Sequence, residues 1–224
     1  ASTLTKTGTP SVQRFSPFSP LSLYSPSDIG GSMFFDGTGD YCSTPSAAPL
    51  QLGTGDFTFE AWIYLNTAAT AVAEYRIFTF WGGSNADSYQ FYLRSNNLRF
   101  IWQIWNQNSP DVAALAITPF TWTHIAVCRS SGSIKTYING VLQDTTSGTN
   151  SANGGGTPTI GADTAGTNAF PGYISNFRIL KGRALYTANT TPSTTPLTAI
   201  ANTSILLSAT NAGIYDSAMM SDIE

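Results

Sequence analysis

The chain from Met33 onward is a succession of short segments in which apolar and polar residues alternate, separated by turn-forming residues. FTFEAWIYL sets Phe57, Phe59, Ala61, Ile63 and Leu65 against Thr58, Glu60, Trp62 and Tyr64. A period of two is the signature of a strand with one face on a core. SMFFDGTGDYCS carries two aromatic-rich pieces around Asp36-Gly37 and Gly39-Asp40. YQFYLRSNNLRFIWQIW reads as two strands joined around Ser95-Asn96-Asn97. In its second arm Phe100, Trp102 and Ile104 face one way, and Ile101, Gln103 and Trp105 face the other. Both faces carry large apolar groups, so this arm is either central to the sheet or partly open for binding. WTHIAVCRSSGSIKTYINGVLQD, residues 122–144, reads as a strand, a turn and a hairpin. Asn139-Gly140 supplies the two positive-φ positions that a two-residue type I′ turn demands. No long segment has a 3.6-residue period, and only GRALYTAN, residues 182–189, predicts a helical turn or two. Many short strands with regular turn signals predict an all-β sandwich.

The first 31 residues differ. SVQRFSPFSPLSLYSPSDIGG is rich in Ser and Pro, and its prolines remove donors and hold the chain extended. Its Phe15, Phe18, Leu21, Leu23 and Tyr24 are too apolar for a free linker, so an arm packed along the domain or a neighbour is expected. The predicted division is an arm over 1–31, one β domain over 32–217 and a tail over 218–224. The start, ASTLTKTGTPSVQ, has neither a signal-peptide pattern nor an initiator Met, and an excerpt of a longer polypeptide is expected.

Composition narrows the class. Only 10% of the 224 residues are charged, against 42% hydrophobic and 12% aromatic, so the surface must be built of neutral polar groups. Such a surface suits an extracellular or virion protein. Ten Lys plus Arg against thirteen Asp plus Glu provide no basic cluster for nucleic acid. No run of about eighteen apolar residues is present, so no membrane insertion is expected. Cys42 and Cys128 form no metal-binding spacing, and two buried free thiols are expected rather than a bridge.

Four motifs, FFDGTGDY (34–41), GTGDFTFEAWIY (53–64), WTHIAVCRSSGSIKTYINGVLQ (122–143) and FPGYISNFRILKGRALYT (170–187), resemble in order and spacing the laminin-G-like members of the concanavalin A-like lectin and glucanase superfamily. The resemblance covers residues 32–200 and implies a jelly-roll sandwich of two antiparallel sheets. KGRALYT, the Thr/Pro-rich tract after it, and TSILLSATNAGIYDSA resemble the version found in structural proteins of marine phages, especially cyanophages. This implies a virion protein whose partners are other virion proteins. The expected role is a tail-fibre or appendage module that attaches to a host-surface polysaccharide, with capsid decoration as the alternative. A secreted or cell-surface adhesion module, or a polysaccharide hydrolase, ranks below these. Trimerisation or another homo-oligomer suits a fibre, although no heptad supports it.

The candidate chemistry rests on carboxylates, thiols and aromatics in turn. A retaining glucanase needs two carboxyl groups about 5 Å apart, and the three glutamates, Glu60, Glu74 and Glu224, have no acidic neighbour in that pattern. No enzyme is expected. His124 and Cys128 share a strand face but stand about 13 Å apart at strand rise, too far for a nucleophile and base pair. One histidine also gives no zinc site. Asp36, Asp40, Asp163 and Asp216 are the candidate ligands of a structural Ca²⁺, the plainer alternative being that Asp36 and Asp40 make the turns of DGTGD. No cofactor is required. For a glycan, flat aromatics beside amides are needed. WQIWNQNSPD offers Trp102, Trp105, Asn106, Gln107 and Asn108, and FWGGSNADSY offers Trp81.

Overall fold

A computed structural model of the chain describes residues 4–18, 30–45, 48–68, 70, 74–82, 88–104, 107–108, 117–210 and 213–216. Along the chain the strands are β1 (Thr5–Thr7), β2 (Ser11–Gln13), β3 (Ser32–Asp36), β4 (Tyr41–Ser43), β5 (Phe57–Leu65), β6 (Glu74–Phe80), β7 (Tyr89–Arg94) and β8 (Arg99–Ile104). There follow β9 (Gln107–Asn108), β10 (Thr123–Ser130), β11 (Ser133–Ile138), β12 (Val141–Ser147), β13 (Thr159–Ile160), β14 (Pro171–Lys181), β15 (Thr203–Thr210) and β16 (Gly213–Asp216). The described residues form a seven-stranded sheet ordered β1-β4-β13-β6-β7-β8-β9 and a nine-stranded sheet containing β12-β11-β10-β5-β14-β15-β16, with β3 on β14 and β2 on β3. Every pairing is antiparallel. The fold is the expected all-β, concanavalin A-like sandwich.

Alternation decides the core. Phe57, Phe59, Ala61, Ile63 and Leu65 of β5 all point between the sheets and are buried. They meet the inward set of the other sheet, with Phe59 stacked on Phe91 at 4.0 Å between ring centroids. Burying such aromatics supplies the largest favourable contribution to folding. Arg129 is the one cation sealed at a sandwich end among the described residues. It donates to the carbonyls of Gly55 (2.7 Å), Asn150 (2.7 Å) and Gly53 (2.5 Å), tying two loops to β10.

The Asn139-Gly140 turn forms as its sequence predicts, with φ of 49° and 77°. The Asn139 side chain also accepts the His124 backbone N–H at 2.9 Å. Gly140 is required twice over, since a Cβ there would overlap the Thr190 carbonyl oxygen.

GRALYTAN is not helical. Residues 182–189 begin an irregular strap that crosses the outer face of the nine-stranded sheet. Thr58 Oγ1 donates to the Arg183 carbonyl and accepts from Leu185 N–H, both at 2.9 Å. Tyr137 donates to the Tyr186 carbonyl at 3.0 Å, and Leu197 N–H donates to Asn176 at 2.7 Å. These outside bonds replace the internal ones a helix would make, and Tyr186 packs over Tyr137, Ala126 and Cys128.

Residues 4–18 lie within this architecture. β1 pairs with β4 and β2 with β3, placing the arm on both sheets. Phe15 then rests among Tyr64, Tyr173 and Trp122, with ring centroids at 4.8, 4.9 and 5.2 Å. Phe18 meets Trp62 edge-on. Leu21, Leu23 and Tyr24 lie outside the described residues. At the other end, β15 and β16 extend the nine-stranded sheet beyond β14.

Candidate functional site

Two β-bulges place the polar side chains of the two outer faces. In β14 the register slips between Ser175 and Arg178, with Asn176 at φ 51°. The extra residue keeps Ser175 and Arg178 on the same, outer face. Arg178 thereby stands opposite Glu60. Its Nε and Nη2 donate to Glu60 Oε1 at 2.8 and 2.5 Å, and its Nη1 donates to the Thr198 carbonyl at 3.0 Å. Glu60 Oε2 accepts from the Tyr186 hydroxyl at 2.7 Å and lies 3.3 Å from His124 Nε2. Burial pushes the Glu60 carboxyl up, but the His124 hydrogen bond and the Arg178 charge outweigh it and hold the group below the usual carboxylate range. Glu60 is 1% exposed and His124 2%. The cluster is a lock beneath the strap, closed to substrate.

Cys128, on the same face, lies 3.4 Å from Thr58 Oγ1, while His124 is bonded to Glu60, so the two are not paired. Both cysteines are free and buried. Burial pushes each thiol up to about 11, which removes thiolate chemistry at neutral pH.

The second bulge is in β6, where Ile77 is inserted between Arg76 and Phe78. Strict alternation would turn Thr79 and Trp81 inward; the extra residue brings them to the outer face with Glu74 and Arg76. Arg76 N–H donates to the Asn168 carbonyl and the Ile77 carbonyl accepts from Gly161 N–H, which fixes the bulge. Beyond it, Gly156 abuts the Trp81 carbonyl so closely that a Cβ would lie 2.5 Å away. The Gly-rich 150s loop is there for close backbone contact.

Across β6, β7 and β8 the register aligns three outward rows. Thr79, Gln90 and Gln103 form the first; Arg76, Tyr92 and Ile101 the second; Glu74, Arg94 and Arg99 the third. The first row and part of the others line a groove of about 490 Å³ with Trp81 and the Asp163–Ala165 loop. Gln90 Nε2 donates to Gln103 Oε1 at 2.5 Å. Arg76 Nη2 contacts Glu74 at 2.5 Å, and its guanidinium carbon lies 4.9 Å from the Tyr92 ring centre. Arg76 Nε and Nη1 are buried with no acceptor. An indole, two amides, a hydroxyl and an ion pair thus line one groove, in which Thr79 and Gln90 are 3% and 5% exposed.

The sequence-predicted site residues divide. Trp102 is a correction: it points inward, is 1% exposed and belongs to the core. Of the two faces of that arm, it is Ile101 and Gln103 that point outward. Trp105 and Asn106 lie outside the described residues. Gln107 and Asn108 form β9, opposite Ile104 and Gln103. Trp81 stands in the groove. Gln90, Gln103 and Arg76 are absent from the sequence-based candidates. Their signal is a polar residue at one alternate position of each apolar strand, in YQFYL and FIWQI.

Of the calcium candidates, Asp36 and Asp40 share one corner, where the Asp36 N–H donates to Asp40 Oδ2 at 3.4 Å. Asp36 caps its own turn through Thr38 N–H at 2.7 Å. Asp40 is buried and accepts from Thr9 N–H at 2.5 Å. Asp163 accepts from Ala165 and Thr167 N–H, from the Thr167 hydroxyl and from Asn168. Asp216 lies in β16, opposite Leu207. Among the described residues no three His, Cys, Asp or Glu come together as a metal site would need.

A second hollow, of about 530 Å³, lies on the strap side among Phe18, Trp62, Trp122 and Thr191–Thr194. Its rings are already engaged edge-on or tilted with one another and with Phe15, Tyr64 and His124.

Among the described residues no helix is long and apolar enough to cross a membrane. Residues 36–189 match the laminin G model of the concanavalin A-like lectin/glucanases superfamily. No curated protein matches the chain in sequence. Among solved structures, a protein from Bacteroides ovatus described as carbohydrate binding aligns with a TM-score of 0.59 and 16% identity, over 85% of this chain and 56% of that one. Domain 4 of AbnA, an extracellular arabinanase from Geobacillus stearothermophilus, in complex with arabinotriose, aligns at 0.52 and 18%, over 80% and 84%. A structure of botulinum neurotoxin type C, whose cell entry depends on two ganglioside molecules, aligns at 0.53 and 16%, over 82% and 44%. The chain spans little more than half the length of the first of these. With its motifs, its sandwich and this match over residues 36–189, the chain belongs to the laminin G family of the concanavalin A-like lectin/glucanases superfamily.

Proposed function

We propose that the chain is a non-enzymatic, lectin-like module that binds glycan in the groove across β6, β7 and β8. The observation that carries this is the convergence of Trp81 with Gln90, Gln103, Thr79 and the Glu74–Arg76 pair around one groove. An indole offers a flat apolar surface to a sugar ring, and amides and an ion pair offer donors and acceptors to its hydroxyls. The arabinotriose complex of a protein of the same fold supports the reading. Glu60 is sealed under the strap and Glu74 is tied to Arg76, which leaves neither as a hydrolytic acid. A glycan-binding screen with the parent and Trp81→Ala tests the proposal. Binding lost in the variant supports it; equal binding discards the site. Release of reducing sugar by the purified protein would revive the hydrolase.

The phage-like character of KGRALYT and TSILLSATNAGIYDSA supports placement on a virion, in a tail fibre or appendage beside other virion proteins, facing host-surface polysaccharide. There, weak single sites gain strength through copy number. The decoration alternative uses the aromatic arm as a dock for a neighbour, whereas Phe15 and Phe18 contact this chain's own sheet. Antibody labelling of purified particles tests the location, since label on tails supports an appendage and label on heads supports decoration. We also propose that the fold requires no Ca²⁺. The melting temperature is expected to be unchanged by EDTA, and a drop reversed by added calcium would assign an ion to the Asp36 corner.

A further inference from the structure

Resting on the glycan reading of the same groove, we infer that the site selects neutral oligosaccharides and excludes those bearing a carboxylate or sulfate. Its lining includes two carboxylates, Glu74 and Asp163, and one guanidinium, Arg76. Arg76 is already paired with Glu74, so the lining carries a net negative charge, in a chain whose overall charge is −3. Arg94 and Arg99 stand in the third row and do not line the groove. An acidic ligand therefore meets like charge there, and like charges set against each other across a binding face suppress association.

The hydrogen-bonding capacity of the floor is an independent observation. Thr79, Gln90 and Gln103 stand opposite one another on β6, β7 and β8. Among the described residues, the bond from Gln90 Nε2 to Gln103 Oε1 is the one hydrogen bond their side chains make. It leaves Gln90 Oε1 as an acceptor, Gln103 Nε2 as a donor and the Thr79 hydroxyl as either. Turning both amides over leaves the same complement, one acceptor and one donor. A sugar hydroxyl both donates and accepts, so it can answer each of these groups. A carboxylate or sulfate only accepts, and it sets oxygen against Gln90 Oε1, Glu74 and Asp163. An acceptor that loses water and gains no donor keeps its full desolvation cost.

The carboxylates do not call for a cationic sugar either. Asp163 is engaged by donors of its own loop, the N–H groups of Ala165 and Thr167, the Thr167 hydroxyl and the Asn168 amide, and Glu74 is held by Arg76. Both charges are thus matched within the protein, and the groups left for a ligand are uncharged. Trp81 follows Thr79 by two positions, about 7 Å at strand rise. One sugar ring can therefore lie on the indole while the hydroxyls of the next reach the amide pair. A groove of about 490 Å³ falls in the range of sites that enclose a ligand of that size. The ligand is a short neutral oligosaccharide.

Calorimetric titration at low and at moderate salt tests this with two neutral probes, a β-glucan and an arabinan oligosaccharide, and two acidic ones, an oligogalacturonate and a sulfated galactan oligosaccharide. At low salt the better neutral probe is expected to bind at least about tenfold tighter than either acidic one, and the gap narrows as salt screens the repulsion. Gln103, which is partly exposed, is the position to vary, with a melting curve showing that each variant is folded. Gln103→Lys places a cation in the groove and should bring an acidic probe to at least the affinity of the neutral ones. Gln103→Leu removes the donor without adding charge and should weaken the neutral probe about tenfold while the acidic ones stay excluded. Acidic probes that bind the parent as tightly as neutral ones, or a preference unmoved by Gln103→Lys, overturn the inference and leave the glycan site standing. Binding of no probe by the parent protein overturns both.

Discussion

Each outer face of the sandwich carries an arginine beside a β-bulge, and the two arginines have opposite fates. Arg178 is fully engaged: Glu60 and the Thr198 carbonyl take its donors, and the strap covers it. Arg76 is tethered at one corner to Glu74 and keeps two buried donors without acceptors beside the groove. The difference lies in the path the chain takes after each strand. After β14 it returns over its own sheet as residues 182–200, bringing Tyr186 down onto Glu60. On the β6–β8 face the polar groups instead line a groove with the Asp163–Ala165 loop. A charged cluster thus indicates function only once its partners are counted. The fully partnered set holds the molecule together, and the incompletely partnered set is the one proposed to meet a ligand.

The largest test of this contrast is in the core. Trp102→Ala should cost about 4 kcal/mol, as deletion of a fully buried aromatic does, seen as a lower denaturation midpoint in urea. If Trp102 instead tolerates alanine while glycan binding is lost, the assignment of the β8 faces is wrong. Next is the lock. Glu60→Gln removes the counter-charge of a buried arginine and should cost about 3 kcal/mol. The folded Glu60 carboxyl titrates below its unfolded value of about 4.3. Its contribution is therefore fully present above that value and is lost as pH falls through the lower folded one. Stability of the parent should drop below about pH 4, and Glu60→Gln should flatten that part of the profile. A parent curve no steeper than the variant's would show that Glu60 carries no charge worth holding. Smaller still, Gly140→Ala places a methyl group against the Thr190 carbonyl at positive φ and should cost about 2 kcal/mol. Because it strains only the strap side, an effect of this variant on glycan binding would break the separation of the two faces.

Much of this architecture is legible in alternation alone. The inward residues of β5 and the Asn139-Gly140 turn follow from period and turn chemistry, with no knowledge of partners. Legibility ends where a single residue is inserted. The bulges at Ile77 and Asn176 invert the face of every residue after them, and nothing in EYRIFTF or YISNFRIL marks the slip. Trp81 is nevertheless recognisable, because an aromatic beside amides needs no register to be noticed. Trp102 is misread as a surface residue, because both faces of FIWQI carry large groups and only the sheet's position in the sandwich decides between them. His124 lies 64 positions from Glu60, a separation that pairing of β10 with β5 erases. GRALYTAN suggests a helix because a strap that bonds only outward has no period of its own.

The most direct test sets the two faces against each other in one measurement. Parent, Trp81→Ala and Trp122→Ala proteins are titrated calorimetrically with whichever oligosaccharide the parent binds, at a temperature where all three are folded. Trp81→Ala should weaken binding at least tenfold, about 1.4 kcal/mol, and Trp122→Ala should leave the affinity unchanged. Retained binding in Trp81→Ala together with loss in Trp122→Ala would contradict the account and move the site to the strap side of the sandwich.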